Sequence, residues 1–190
     1  MLTRPAALRA IDTAFADAPL VLTLGGTIRE MLSEVGRKPN HLYSLDAMGQ
    51  PLAIGLGLAL GMPSLARVVV VEGDGSLLMG FSALTTVGFL KPSNLVLLVL
   101  DNGVYLATGG QPTAADCVDF VSVARACGWA DARNVDSSPE ELTAALQWAT
   151  RAPGPLLLRI PVSTDQPKTD FFLEDPVILG RDFQSWLHDR

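Results

Sequence analysis

Two uninterrupted apolar runs stand out along the chain. Arg67–Glu72 (RVVVVE) ends at Gly73-Asp74-Gly75, and Leu95–Leu100 (LVLLVL) ends at Asp101-Asn102-Gly103. Neither alternates apolar with polar residues, the pattern of central parallel strands covered on both faces. Leu20–Leu24 (LVLTL) reads as a further strand, closed by Gly25-Gly26 and followed by a helix from Thr27 to Val35. Pro51–Leu60 (PLAIGLGLAL) is apolar on nearly all sides, so a helix there must be buried. Gly55 and Gly57 lower its helix stability but permit close packing. Phe81–Leu90 is the expected crossover helix between the two long strands, with Lys91-Pro92-Ser93 as its stop. Phe120–Cys127 reads as a helix and Asp131–Val135 as a strand. Pro139–Thr150 is a helix with Ser137 or Ser138 as cap, Pro139 and Glu140-Glu141 in its first turn. Leu156–Ile160 is the last strand, and a tail rich in Pro, Asp and Phe leads to a short amphipathic helix near Pro176–Leu187. Strands alternating with helices predict a three-layer α/β domain with a mainly parallel central sheet. Its ligand is expected at the carboxyl ends of the strands.

The 190 residues suit one domain (1–190) with a C-terminal tail over 162–190. Hydrophobic residues make up 48% and charged ones 18%, enough for a substantial core of Leu, Val and Ala. The net charge of −6, without a Lys/Arg cluster, argues against a nucleic-acid surface. A diphosphate can still be held by backbone N–H groups or a metal. Cys117 and Cys127 form no C-x-x-C and read as two reduced, small apolar residues. The N-terminal stretch lacks a signal-peptide apolar run, and no segment approaches the roughly 18–20 apolar residues of a membrane helix. A cytoplasmic location is expected.

The chemistry falls in the two polar, glycine-rich loops, Gly73-Asp74-Gly75-Ser76 and Asp101-Asn102-Gly103-Val104-Tyr105, separated by the 25 positions 76–100. A strand–helix–strand unit brings two such loops side by side. Asp74 then offers a carboxylate and Asn102 an amide oxygen, hard ligands suited to Mg²⁺. Glycines let backbone N–H groups approach phosphate oxygens, and Ser76 can donate its hydroxyl. Either loop alone would be an ordinary turn. Their pairing across a crossover of this length is what favours a cation and phosphate site.

Gly-Asp-Gly followed at this distance by Asp-Asn resembles the thiamine-diphosphate fingerprint of the decarboxylase and transketolase families. The stretches LDAMGQPLAIGLGLALG, GDGSLLMGFSALTTVG, DNGVYLATGGQPT and KTDFFLEDP are similar to sulfopyruvate decarboxylase beta subunits and, nearly as closely, to the C-terminal part of phosphonopyruvate decarboxylases. The resemblance spans roughly residues 20–180. It implies a thiamine-diphosphate-binding fold, thiamine diphosphate and Mg²⁺ as cofactors, and decarboxylation of a small 2-oxo acid. By it, Asp74, Asn102 and the carbonyl of Val104 are the metal ligands. Gly73, Gly75 and Ser76 line the diphosphate, with Gly25, Gly26 and Thr27 beside them, and Tyr105, in the same loop as the metal ligands, is a further cofactor-binding residue. Met48 props the cofactor into its bent shape, although a methionine there also suits a core position. The Asp46 carbonyl accepts from the aminopyrimidine. Thr108, Gly109, Gly110 and Gln111 form a loop over the cofactor that is either a substrate contact or a structural turn. The chain departs from the family pattern at Asp46-Ala47, where Gly-Ser is usual, at Ala107 and at Gly80. These departures bear on the substrate more than on the cofactor.

The glutamate that activates thiamine belongs to a separate pyrimidine-binding domain in this family. Glu72, at a strand end beside the metal, is wrongly placed for it, and Glu30 and Glu34 read as a solvated helix face. The resemblance therefore implies an alpha-type partner subunit, with this chain inactive alone. Other readings are a subunit of an acetolactate-synthase-like or oxidoreductase thiamine enzyme, or a non-catalytic thiamine-diphosphate-binding module. A plain nucleotide-binding domain ranks low, since no G-x-G-x-x-G follows the first strand and no G-x-x-x-x-G-K-[ST] occurs.

Overall fold

The apolar runs form the centre of a six-stranded, all-parallel sheet in a computed structural model that describes residues 1–171 and 174–190. Its strands are β1 (Leu20–Leu22), β2 (His41–Tyr43), β3 (Val68–Gly73), β4 (Leu95–Asp101), β7 (Asp131–Asn134) and β8 (Leu156–Pro161). Two short segments, β5 (Val104–Tyr105) and β6 (Gln111–Pro112), make a separate antiparallel ribbon. The sheet order is β2-β1-β3-β4-β8-β7.

The helices are α1 (Arg4–Ala14), α2 (Gly26–Val35), α3 (Pro51–Gly61), α4 (Asp74–Met79), α5 (Ala83–Leu90), α6 (Phe120–Ala126), α7 (Pro139–Ala149) and α8 (Pro176–His188). Alternate residues of the central strands feed two cores. Val69, Val71, Val96 and Leu98 pack with Leu8, Ile11, Met31 and Leu146 of α1, α2 and α7. Val68, Val70, Leu95 and Leu97 pack with Leu52, Leu56, Leu84 and Phe120 of α3, α5 and α6. Burial on both faces is why β3 and β4 show no polar alternation.

Where the hydrophobic pattern expects one crossover helix, the chain builds two. Helix α4 starts at Asp74 itself, and α5 follows after a turn at Gly80. A Cβ at Gly80 would strike the Gly49 backbone, so the chain bends where these two segments touch. Gly55 likewise lies against Val70, whereas Gly57 faces open space. Among the described residues, α1, the three-residue β2, the ribbon and two 3-10 turns, Leu106–Thr108 and Ala114–Cys117, are not announced by the hydrophobic pattern. Phe172 and Leu173 of the KTDFFLEDP stretch lie outside the described residues.

The connection after β1 runs outward to β2, and the one after β3 runs the other way to β4. The carboxyl ends of β1 and β3, paired through Leu22 and Val71, thus flank the switch point of the sheet. Ligands of open α/β sheets bind in this crevice.

Candidate functional site

The loops after β1, β3 and β4 meet in one cleft. It is lined by Gly25, Gly26, Thr27, Met48, Gly73, Asp74, Gly75, Ser76, Asn102, Val104, Tyr105 and Thr108 among the residues expected from sequence. Asp46 and the segment Gly109–Gln111 are not part of that lining. Asp46 is exposed, with φ 53°, on the turn before α3. Gly109, Gly110 and Gln111 are exposed at the outer end of the ribbon, where Gln111 Nε2 donates to the Thr108 carbonyl at 2.8 Å.

Asp74 is 2% exposed. Thr113 Oγ1 donates to its Oδ2 at 2.6 Å, and the Asn102 N–H approaches its Oδ1 at 3.4 Å. Burial pushes this carboxyl above its ordinary pKa; the Thr113 hydroxyl opposes the rise and the Asp101 charge adds to it. Asp101 itself is occupied elsewhere, accepting from Arg159 Nε at 2.7 Å and from the Gly103 N–H at 3.0 Å. Asn102 Oδ1 accepts the Val104 N–H at 3.1 Å, a local turn that fixes the amide. Val104 stands opposite Pro112 in the ribbon, and proline has no N–H to give it.

On the other side of the cleft, Ser76 Oγ joins three segments. It accepts from the Gly49 N–H and from Thr23 Oγ1, both at 3.1 Å. The turn carrying Met48 is thereby tied to the start of α4. Beneath it lies Glu72, fully buried, with no well-aligned hydrogen-bond partner for either carboxylate oxygen. Burial raises its pKa to about 7, opposed by the nearby Ser76 and Thr23 hydroxyls and the Leu52 and Gly73 N–H groups.

These residues fit a metal-bound diphosphate. A Cβ built at Gly25 or Gly73 would meet nothing within 4 Å, so both backbones lie bare toward the cleft. The available donors, a carboxylate, an amide oxygen and a backbone carbonyl, are hard oxygens of the kind Mg²⁺ takes. No cluster of three or more His, Cys, Asp or Glu occurs among the described residues. A cation here would complete its shell from phosphate and water, as magnesium commonly does.

Among the described residues, the polar side chains of Arg4, Thr23, Thr113 and Gln166 line or support the cleft without a sequence signal of their own. One expectation is corrected. Glu30 is not solvated; its side chain is 1% exposed and paired with Arg4, because α1 packs over that face of α2. Glu34 is nearer the surface and pairs with Arg9.

Residues 31–160 match the family model of the thiamine pyrophosphate enzyme, C-terminal TPP binding domain. The chain is 42% identical over 163 residues to a phosphonopyruvate decarboxylase of Streptomyces viridochromogenes, covering 84% of this chain but 40% of that protein. It is 36% identical over 178 residues to sulfopyruvate decarboxylase subunit beta of Methanothermobacter thermautotrophicus, covering 92% of this chain and 91% of that subunit. It therefore spans about two fifths of the phosphonopyruvate decarboxylases it matches and nearly all of the beta subunit. Among solved structures, an enzyme of Mycobacterium smegmatis described as thiamin diphosphate-dependent superposes with a TM-score of 0.71 at 26% identity, over 86% of this chain and 32% of that one. Benzoylformate decarboxylase of Polynucleobacter necessarius, at TM-score 0.70 and 19% identity over 86% of this chain and 33% of that one, shares the fold.

Proposed function

The chain belongs to the thiamine pyrophosphate enzymes as a C-terminal TPP binding domain, and on that basis we propose that it holds the diphosphate and Mg²⁺ end of thiamine diphosphate in a 2-oxo acid decarboxylase. The substrate is a sulfopyruvate- or phosphonopyruvate-like 2-oxo acid, and a second, pyrimidine-binding chain of alpha type or a further domain completes the active site. One observation carries this reading: Asp74, Asn102 and the bare glycine backbones of Gly25 and Gly73 converge at the sheet's switch point.

In this assignment Asp74 Oδ1, Asn102 Oδ1 and the Val104 carbonyl bind the metal. Thr113 holds Oδ2 of Asp74, which would leave Oδ1, beside the Asn102 N–H, for a cation. Ser76, Gly73, Gly75, Gly26 and Thr27 receive the diphosphate. Met48, anchored through Gly49 and Ser76, would support the bend of the cofactor, and the Asp46 carbonyl, outside the cleft lining, would meet its aminopyrimidine by the family pattern alone. Tyr105 packs on Gly75 and closes that side of the cleft. Thiamine diphosphate, when bound, supplies the electron sink for loss of CO₂, and the protein supplies orientation and electrostatics.

Among the described residues, no glutamate lines this cleft. Glu72 is buried beneath the start of α3, and Glu30 is committed to Arg4. That division of labour supports a partner, as does the near full-length match to a protein named a beta subunit.

The test is calorimetric titration of the chain with thiamine diphosphate and Mg²⁺, with and without the pyrimidine-binding partner. Metal-dependent binding that tightens in the mixture, followed by CO₂ and aldehyde release from a 2-oxo acid, is the expected result. No binding in either case overturns the reading. Condensed or oxidised products would instead assign the same half-site to an acetolactate-synthase-like or oxidoreductase enzyme.

A further inference from the structure

The sequence shows no concentration of positive charge, yet the fold delivers one guanidinium to the cleft. Arg4 is the first residue of α1, directly after the capping Thr3. The segment before it is pinned to the chain beyond β8: the Ser163 N–H donates to the Leu2 carbonyl at 2.8 Å, and Leu2 is buried. The Arg4 side chain is 11% exposed and its partner Glu30 1%. Arg4 Nε donates to Glu30 Oε2 at 2.7 Å, and Nη2 donates to Oε1. This two-point contact fixes the plane of the guanidinium and uses two of its five N–H groups, leaving three for a ligand.

Those groups have a definite neighbourhood. Arg4 Nη2 lies 2.5 Å from the point a Cβ on Gly26 would occupy, and Gln166 Nε2 lies 3.1 Å from the same point. The guanidinium and the amide thus both lie over the Cβ side of Gly26, between Gly25 and Thr27 at the start of α2, and both line the cleft. Arg4 and Asp74 are the charged side chains among its described lining residues. They stand on opposite sides of the β1–β3 switch point, Asp74 after β3 and Arg4 against the loop after β1. A buried ion pair is a poor device for stability alone, since apolar residues of similar size often serve as well. Its position in the lining of the cleft gives it another use.

We infer that Arg4, oriented by Glu30 and assisted by Gln166, binds the terminal phosphoryl group of the cofactor. The inference rests on the function proposed above. A diphosphate held between the two glycine loops would have Asp74 and any cation it binds on one side and Arg4 on the other. Because Glu30 already balances its charge, Arg4 acts as a directed N–H donor to an oxyanion rather than as a net positive field.

The test uses the complex of this chain with its partner and calorimetric titration of thiamine diphosphate and thiamine monophosphate in Mg²⁺. The double variant Arg4→Met/Glu30→Gln removes both charges, so that neither is left buried alone. Arg4→Lys keeps the charge and loses the fork. The double variant should lower diphosphate affinity by about ten- to hundredfold, the size of a charge-assisted hydrogen bond, and leave the monophosphate nearly unchanged. Arg4→Lys should fall between. Equal losses for both ligands, or no loss, would overturn the inference. So would unchanged cofactor affinity with a drop in kcat/KM confined to 2-oxo acids bearing a sulfonate or phosphonate, which would move Arg4 to the substrate. Failure of the unaltered complex to bind either ligand would sink the functional proposal itself, and this one with it.

Discussion

Thr113 Oγ1 donates a 2.6 Å hydrogen bond to Asp74 Oδ2, joining the segment after the ribbon to the first residue of α4. The same hydroxyl accepts the Ala115 N–H at 3.3 Å, which fixes its rotamer. One oxygen of Asp74 is thereby occupied, and the other is left toward Asn102 and the cleft. A residue 39 positions away in sequence therefore orients the proposed metal-binding carboxylate.

Asp74→Ala should abolish Mg²⁺-dependent binding of thiamine diphosphate while the chain remains folded. Calorimetry reads the first and circular dichroism the second. Unchanged binding would refute the assignment of Asp74 to the metal.

Thr113→Val should weaken Mg²⁺ affinity by about tenfold or more, in the range of partners that orient a metal-binding group. Thr113→Ser, which keeps the hydroxyl, should restore most of it. If valine and serine behave alike, the hydrogen bond does not direct the carboxylate.

Gly55 and Gly57 share one helix and have opposite surroundings. A Cβ at Gly55 would run into the stiff side chain of Val70, and one at Gly57 would meet nothing. Gly55→Ala should destabilise the chain by about 1–3 kcal/mol through overpacking. Gly57→Ala should stabilise it by roughly 0.5–1 kcal/mol, because alanine loses less backbone entropy in a helix. Urea unfolding of the two variants checks the pair, and effects of the same sign would contradict the packing described.

The strands β3 and β4 and the two loops that end them are legible because central parallel strands leave uninterrupted apolar runs. The loops that line the cleft lie where those runs stop. Helix α4 is less legible, since Gly73-Asp74-Gly75 has turn composition, although an acidic residue in the first helical turn is favourable. Glu30 and Glu34, at i and i+4, have the spacing of a solvated face, and only the docking of α1 buries Glu30. Arg4 reaches Gly26 through that same docking, a long-range contact that no local spacing encodes. Strand β2, at three residues, is too short for a period to register.

His41, which is not among the cleft's lining residues, sets a separate pH dependence. Its side chain is fully buried on β2, with Nε2 3.2 Å from Asp12 Oδ1 and the Tyr43 ring edge-on at a centroid separation of 6.0 Å. Asp12 is itself bound by Lys38 Nζ at 2.6 Å. Burial lowers the His41 pKa from 6.5 to about 4; the Asp12 charge opposes the fall and the Lys38 charge adds to it. The folded chain therefore holds His41 neutral where the unfolded chain has already protonated it. Stability from this group is fully present above pH 6.5, falls as the pH drops toward 4, and changes no further below that. The loss should be on the order of 2 kcal/mol near pH 4.5. Other groups also titrate in this range, so the informative quantity is the difference from His41→Gln, which keeps a polar side chain but cannot protonate. Urea unfolding of both proteins at pH 7 and 4.5 should show the shallower decline in the variant. Parallel declines would mean that His41 either protonates in place at little cost or is already reached by water in the folded chain.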